Sequence, residues 1–231
     1  MKKLSITDRI EKILRHTFIL LTSFAIVYIL VWEENPIGWE QIASAFITLI
    51  LLILPTIFSR RTKIAIPPII QISFLIFIFA STYLGEFRNF YLRYSWWDSM
   101  LHFFSALLLG YIGFLLIFAL NKDREMHLRL SPFFIAVFTF SFAVMMGTMW
   151  EIFEYVMDHF VGLDMQKARY LGDDSRSGVI DTMKDLIIDS VGALFVSITG
   201  YIFCKKTKDD NLSFWKIRKQ FIDSNPDLFE E

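Results

Sequence analysis

The hydrophobic positions of this chain fall into six long blocks, which polar or charged segments separate. A helix needs about 20 residues to cross the hydrocarbon core of a membrane, so blocks of this length are typical of membrane spans. The pattern predicts an all-α, polytopic membrane helix bundle with six transmembrane helices. The predicted spans cover residues 17–32, 40–58, 64–84, 99–120, 131–155 and 185–203.

Composition agrees with this interpretation. Hydrophobic residues make up 55% of the 231 positions and charged residues 20%, which excludes an ordinary soluble domain. The net charge of −1 gives no indication of a nucleic-acid partner, so the lipid bilayer is the predicted environment. The single Cys204 excludes an internal disulfide. The first block is read as a retained helix because no small-residue cleavage pattern of a secretory signal follows it.

Lysine and arginine concentrate in alternate polar segments, and this sets the predicted orientation. The basic segments are residues 1–16, 59–63, 121–130 and 204–208. Because cytoplasmic loops of membrane proteins carry the excess of Lys and Arg, both termini are predicted to be cytoplasmic.

The predicted organisation has five parts in chain order. They are a cytoplasmic amphipathic N-terminal segment, 1–16; three apolar transmembrane helices, 17–84; an outer interfacial loop, 85–98; a three-helix core, 99–203, with a long outer loop, 156–184; and a cytoplasmic tail, 204–231.

The last three spans carry ionisable side chains at or just inside their outer ends. Asp98 and His102 are one helical turn apart at the start of the fourth span. Glu151 and Glu154 are three residues apart near the end of the fifth. Asp181, Asp185 and Asp189 follow one another at four-residue steps where the sixth begins. Four-residue steps rotate only about 40° around a helix, so the three aspartates share one face.

An unpaired carboxylate near the bilayer centre costs about 2.5–3.5 kcal/mol, and less towards the interface. Asp189, Glu151 and His102 should therefore face one another or a wet cavity rather than lipid. Acids packed together also repel, and either protons or a bound cation relieve the repulsion. A simpler interpretation takes each acid singly: Asp181 is a solvated residue or helix cap, and Asp98 caps the fourth span.

The sequence favours a shared site in which Asp98, His102, Glu151, Asp185 and Asp189 carry the chemistry. A divalent metal would be held by these five residues together with Glu154 and Asp181, although no recognised ligand spacing such as H-E-x-x-H is present. Arg169 and Arg176, in the long loop, would bind an anionic headgroup.

The same residues resemble the pattern of the VanZ-like membrane proteins, and more closely that of their YjdF-type relatives. The pattern reads Asp98, His102 and Phe103, then Glu151 and Glu154, then Arg176, Asp181, Asp185, Asp189, Gly192 and Ala193. It covers about residues 95–200. The resemblance implies a bacterial cytoplasmic-membrane protein with a small α-helical bundle, and it supplies no reaction.

Three functions remain open from the sequence. The first is an enzyme that acts on a lipid or envelope precursor at the outer leaflet, with Mg²⁺, Mn²⁺ or Zn²⁺ activating water or polarising a phosphate. The second is an ion-coupled transporter, because intramembrane acids line the paths of many carriers. The third is a non-catalytic scaffold or an immunity-type binding protein.

Overall fold

The computed structural model describes residues 6–32, 39–120, 130–166, 178–205 and 213–226. Within these ranges the chain forms helices joined by turns, and no strand is present. The α-helices are α1 Ile6–Trp32, α2 Trp39–Thr62, α3 Pro68–Ile78, α4 Phe90–Arg93, α5 Trp97–Leu120, α6 Pro132–Val156, α7 Gly178–Lys205 and α8 Ser213–Ser224. Two of them continue as π-helices, α3 through Phe79–Phe87 and α6 through Met157–Val161. The all-α prediction is confirmed.

Five segments of the described chain are long and apolar enough to cross a membrane. They are Ala45–Thr62, Pro68–Phe87, Trp97–Ile117, Pro132–Val161 and Gly178–Lys205. Each overlaps one of the second to sixth predicted spans. The first predicted span, 17–32, lies within α1, where it continues without a break from the amphipathic residues that precede it.

The helix bounds differ from the predicted spans where special backbone conformations decide them. The sequence predicts that the third span begins at residue 64, but α3 begins at Pro68. Pro67 is extended, at φ −52° and ψ 135°, and Pro68 occupies the first helical turn. The long loop predicted over 156–184 is shorter. The π-helix that continues α6 ends at Val161, because the next residue, Gly162, has a left-handed φ of 80°, and α7 begins at Gly178. Hydropathy alone did not reveal that residues 157–161 and 178–184 are helical.

The outer loop predicted over 85–98 is also largely helical. The π-helix extends to Phe87, α4 follows after the left-handed Asn89 (φ 57°), and α5 begins at Trp97. Aromatic contacts stabilise this segment, since the ring of Phe90 packs edge-on against the rings of Tyr94 and Trp97. Helical backbone satisfies its own amides, which favours it near an apolar environment.

The chain divides into two compact units, the first formed by Met1–Trp97 with Ile217–Glu231 and the second by Asp98–Lys216. In the first unit, Leu52, Leu75 and Ile78 form a buried core. The ring of Phe18 stacks on Phe79 at 4.1 Å between centroids. Asn225 stabilises the turn before α3 through two hydrogen bonds with the backbone of Ala65. Its side-chain oxygen accepts from the Ala65 N–H at 2.6 Å, and its side-chain amide donates to the Ala65 carbonyl oxygen at 2.8 Å.

In the second unit, glycines allow α5, α6 and α7 to pack closely. A Cβ atom at Gly192 of α7 would lie 2.9 Å from both the Cβ of Ala106 and the backbone oxygen of Phe103 on α5. A Cβ at Gly113 of α5 would lie 2.8 Å from the ring of Phe142 on α6. Small residues at such positions let membrane helices approach closely.

We expect Gly192→Ala to destabilise the protein by about 1–3 kcal/mol, because the added methyl meets backbone that cannot move aside. Gly200→Ala is the matched control on the same helix, since its Cβ would meet the ring of Phe114 at an ordinary 3.5 Å. Both substitutions gain the same helix propensity, about 1 kcal/mol, so their difference isolates the clash. Thermal unfolding in detergent measures it, and equal melting temperatures would contradict this packing.

Candidate functional site

The acidic residues and the histidine meet where α5 and α7 begin and α6 ends, within the second unit. Asp98 and His102 come from the first two turns of α5, Glu151 from the end of α6, and Asp185 and Asp189 from α7. His102 is 7% exposed, Glu151 3%, and the two aspartates 1% each. The side chain of Asp98 retains 25% exposure and is the most accessible of the five. The predicted carboxylate and histidine cluster is therefore present, and it is buried.

His102 lies at the centre of this cluster. Its Nδ1 atom is 3.4 Å from both carboxylate oxygens of Asp189. Its Nε2 atom is 3.8 Å from Oδ1 of Asp98 and 3.7 Å from Oε1 of Glu151. The distances at Nε2 exceed those of hydrogen bonds. The ring therefore has its closest carboxylate at Nδ1 and faces two further acids across a gap at Nε2.

Two observations bear on metal binding. First, ligand atoms of Asp98, His102 and Asp185 all lie within 4.8 Å of one another. Second, Oε1 of Glu151, Oδ1 of Asp185 and Oδ1 of Asp189 are buried acceptors that receive no hydrogen bond from the described chain. Buried acceptors of this kind are costly unless a donor or a cation approaches them. The donor set is one imidazole nitrogen with several carboxylate oxygens, which fits a divalent ion.

The remaining predicted residues lie elsewhere. Glu154 is buried, and its Oε1 accepts a 2.8 Å hydrogen bond from the indole of Trp150. Asp181 is half-buried in the first turn of α7 and does not belong to the close group of ligand atoms. Arg169 and Arg176, predicted to bind an anion, lie outside the described residues.

The structure adds a hydrogen-bonded chain that the sequence did not reveal. The amide of Gln166 donates a 2.8 Å hydrogen bond to the hydroxyl of Thr182, which is in turn bonded to the carboxylate of Glu151. Asp158 fixes the turn that carries Gln166 by accepting the backbone N–H groups of Met165, at 2.6 Å, and of Gln166, at 2.9 Å. Thr182 is one turn before Asp185, a spacing that could have drawn attention to it. Nothing in the sequence singles out Gln166.

Gly147 is a second feature of the site that the sequence pattern did not reveal. It is one helical turn before Glu151 on α6, and a Cβ atom there would collide with the carboxylate of Asp189. The glycine thus makes room for the buried carboxylate that faces His102. Its four-residue spacing from Glu151 was a usable signal.

We expect Gly147→Ala to destabilise the wild-type protein by about 1–3 kcal/mol, because it displaces the Asp189 carboxylate from a packed position. In an Asp189→Ala background the cost should fall by about 1 kcal/mol or more, because the colliding group is gone. Unfolding free energies of the four proteins in the cycle measure this coupling. A coupling near zero would mean that the two residues do not touch.

Comparison with known proteins places this chain among membrane proteins. An uncharacterized protein of Thermotoga maritima is 26% identical to it over 167 residues, which are 71% of this chain and 76% of that protein. No solved structure matches it. Residues 15–206 match the family model described as predicted membrane protein, DUF2238. Because that match spans most of the sequence, the chain belongs to the DUF2238 family of predicted membrane proteins.

Proposed function

We propose that this protein is a metal-dependent enzyme of the bacterial cytoplasmic membrane that acts on a phosphate-bearing lipid or envelope precursor. In this proposal the chain crosses the membrane six times, both termini are cytoplasmic, and the cluster around His102 opens to the outer leaflet. The observation that carries the proposal is the convergence of ligand atoms from Asp98, His102 and Asp185, beside buried carboxylate oxygens that lack a donor among the described residues.

The two nitrogens of His102 take different roles. Metal-bound histidines usually donate their other ring N–H to a carboxylate, which fixes the tautomer and the ring orientation. Asp189, 3.4 Å from Nδ1, is placed to accept that proton. The lone pair of Nε2 then points towards Asp98 and Glu151. We assign Nε2 and Asp98 as ligands together with Asp185, and Asp189 as the residue that orients the ring.

The spacing is close to that of a bound ion. Ligands about 2.1 Å from a tetrahedral ion lie about 3.4 Å apart. The Nε2 atom is 3.8 Å from Oδ1 of Asp98, so a small side-chain rotation would bring these two ligand atoms to that spacing. Nitrogen with carboxylate oxygen suits Zn²⁺ or Mn²⁺ better than Ca²⁺, which prefers oxygen alone.

The chain's own residues supply the other parts of a hydrolytic site. When bound, the ion would polarise a phosphate oxygen or lower the pKa of a water molecule. Glu151, whose carboxylate is bonded to Thr182, is held beside that position and serves as the general base. Asp98, the most exposed of the group, marks the side from which a headgroup enters. The predicted roles of Arg169 and Arg176 in binding its negative charge remain part of the proposal.

The transporter alternative is less well supported. A carrier needs polar groups along the whole path, but the other end of the same three helices contains a buried apolar cluster. That cluster consists of Phe114, Ile117, Ile135 and Phe203. The buried hydroxyl of Ser197 is satisfied within the protein, because it donates a 2.6 Å hydrogen bond to the backbone oxygen of Ala136.

The first test is metal content. We expect wild-type protein, purified in detergent and dialysed against Zn²⁺ or Mn²⁺, to retain about one ion per chain. Asp185→Asn should weaken binding at least about tenfold, the lower end of the effect seen for a lost outer-shell partner. Asp181→Asn, one turn earlier on α7, is the matched control and should bind like wild type. Elemental analysis and isothermal titration measure both variants.

Stability and turnover separate the alternatives. A saturating ion should stabilise the wild type, by about 2.7 kcal/mol at a hundredfold excess over Kd, and Asp185→Asn should lose this gain. Release of inorganic phosphate from lipid phosphate esters in mixed micelles should need both the metal and Asp185. Metal binding without release of phosphate would support a non-catalytic binding protein and not an enzyme. Equal metal content in Asp185→Asn and Asp181→Asn would show that Asp185 is not a metal ligand and would contradict the proposed site.

Topology is tested separately. We expect a reporter that works only in the cytoplasm to be active when it is fused after Lys205. A reporter that works only after export should be active when it is fused in the turn at 162–166, because the basic segments stay inside. A cysteine introduced at the exposed Gly162 should react with membrane-impermeant maleimide in intact cells. Labelling only after lysis would reverse the proposed orientation.

A further inference from the structure

A second polar region lies in the first unit, where α1 and α3 begin and α2 ends. It surrounds a cavity of about 330 Å³. The residues bordering the cavity that matter here are Glu11, Arg15, Thr56, Ser59, Arg60 and Gln71. None of them belongs to the cluster around His102, so this region is independent of the proposed enzyme site.

An ion pair organises one wall of the cavity. Glu11 is only 5% exposed, and its carboxylate is bonded to the guanidinium of Arg15, one turn later on α1. This bond uses a terminal nitrogen of Arg15, while its Nε–H is buried and has no acceptor within the described chain. Arg15 also lies within electrostatic reach of Arg60 on α2. Arg60 has no such bond to Glu11 among the contacts of the described chain, so positive charge and the Nε–H donor of Arg15 remain at the cavity.

The hydroxyls of Thr56 and Ser59 form the facing wall. Several helical hydroxyls of the described chain donate to the backbone of the preceding turn, as Thr148 does to Val144 at 2.8 Å and Ser190 to Leu186 at 2.7 Å. The hydroxyls of Thr56 and Ser59 are buried and make no hydrogen bond with any part of the chain that is described. They are therefore available to an acceptor from outside the protein.

The charge balance favours an anionic ligand. Glu11 is paired with Arg15, and the opposite charges of Asp8 and Lys12, which also border the cavity, offset each other. The charge of Arg60 remains. Gln71 already donates its amide to the backbone oxygen of Ile66 at 2.8 Å. The buried atoms here that lack a partner within the described chain are Nε of Arg15 and the hydroxyls of Thr56 and Ser59, and all three can donate. Oxyanions accept several such bonds at once.

We propose that this cavity binds a phosphate group, which Arg15, Arg60, Thr56 and Ser59 hold by charge-assisted hydrogen bonds. Both a lipid headgroup and free inorganic phosphate offer this chemistry. The end of α2 belongs to a basic segment, 59–63, that the sequence places on the cytoplasmic side, where anionic headgroups of the inner leaflet are accessible.

Neighbouring arginines provide the test. Arg60 and Arg61 are both exposed in the last turn of α2, but only Arg60 borders the cavity. Full-length protein in non-ionic detergent is titrated with radiolabelled inorganic phosphate by equilibrium dialysis, and with dioleoyl phosphatidylglycerol by native mass spectrometry. We expect Arg60→Gln to weaken binding about tenfold, equivalent to 1.4 kcal/mol. Arg61→Gln should change it by no more than about twofold, as for a solvent-exposed charge.

A second variant covers the case in which Arg60→Gln lowers the yield of folded protein. Thr56→Val with Ser59→Ala removes both hydroxyls without changing charge, and should also weaken binding severalfold. Binding of both probes would show that phosphate alone suffices, whereas binding of the lipid alone would identify the headgroup as the ligand. Equal losses in Arg60→Gln and Arg61→Gln would indicate diffuse surface attraction and overturn the proposal. So would the failure of wild-type protein to bind either probe at millimolar concentration.

Discussion

The burial of several carboxylates around a single imidazole is the constraint on which the second unit depends. In a medium of low polarity, two unit charges 4 Å apart interact by about 4 kcal/mol even at an effective dielectric constant of 20. Asp98, Glu151, Asp185 and Asp189 approach His102 from three helices, so a shift of any helix changes several of these interactions together. The cluster must be balanced by protons or by a cation, and this balance holds the helices in register.

The small residues of the same helices follow from this constraint. Carboxylates are short side chains, so they meet one histidine only if the backbones that carry them come close. Gly192 brings α7 against the backbone of α5, and Gly147 leaves space on α6 for the carboxylate of Asp189. The glycines and the acids therefore depend on each other. Close packing of the helices brings the carboxylates to His102, and the short carboxylate side chains reach it only when the helices pack closely.

The sequence was sufficient to predict the helices and the meeting of the acids with His102, because block length reports on spanning and four-residue spacing reports on a shared face. The sequence was less informative about the direction in which each residue faces around its helix. Each four-residue step drifts by about 40°, so Asp181 is about 80° around α7 from Asp189 and is half-buried where Asp189 is buried. The contact from Gln166 through Thr182 to Glu151 depends on the geometry of a turn, and no periodicity encodes it.

The two polar regions differ in what they leave unsatisfied, and this difference predicts their ligands better than their charge does. Around His102 the buried atoms without partners among the described residues are carboxylate oxygens, which attract a cation. In the first unit the corresponding atoms belong to Arg15, Thr56 and Ser59, which can all donate to an oxyanion. Since burying an unsatisfied polar group costs free energy, each region is stabilised most by a ligand of the complementary kind. A protein with both would hold a metal ion in one unit and a phosphate group in the other, through sites that no residue shares.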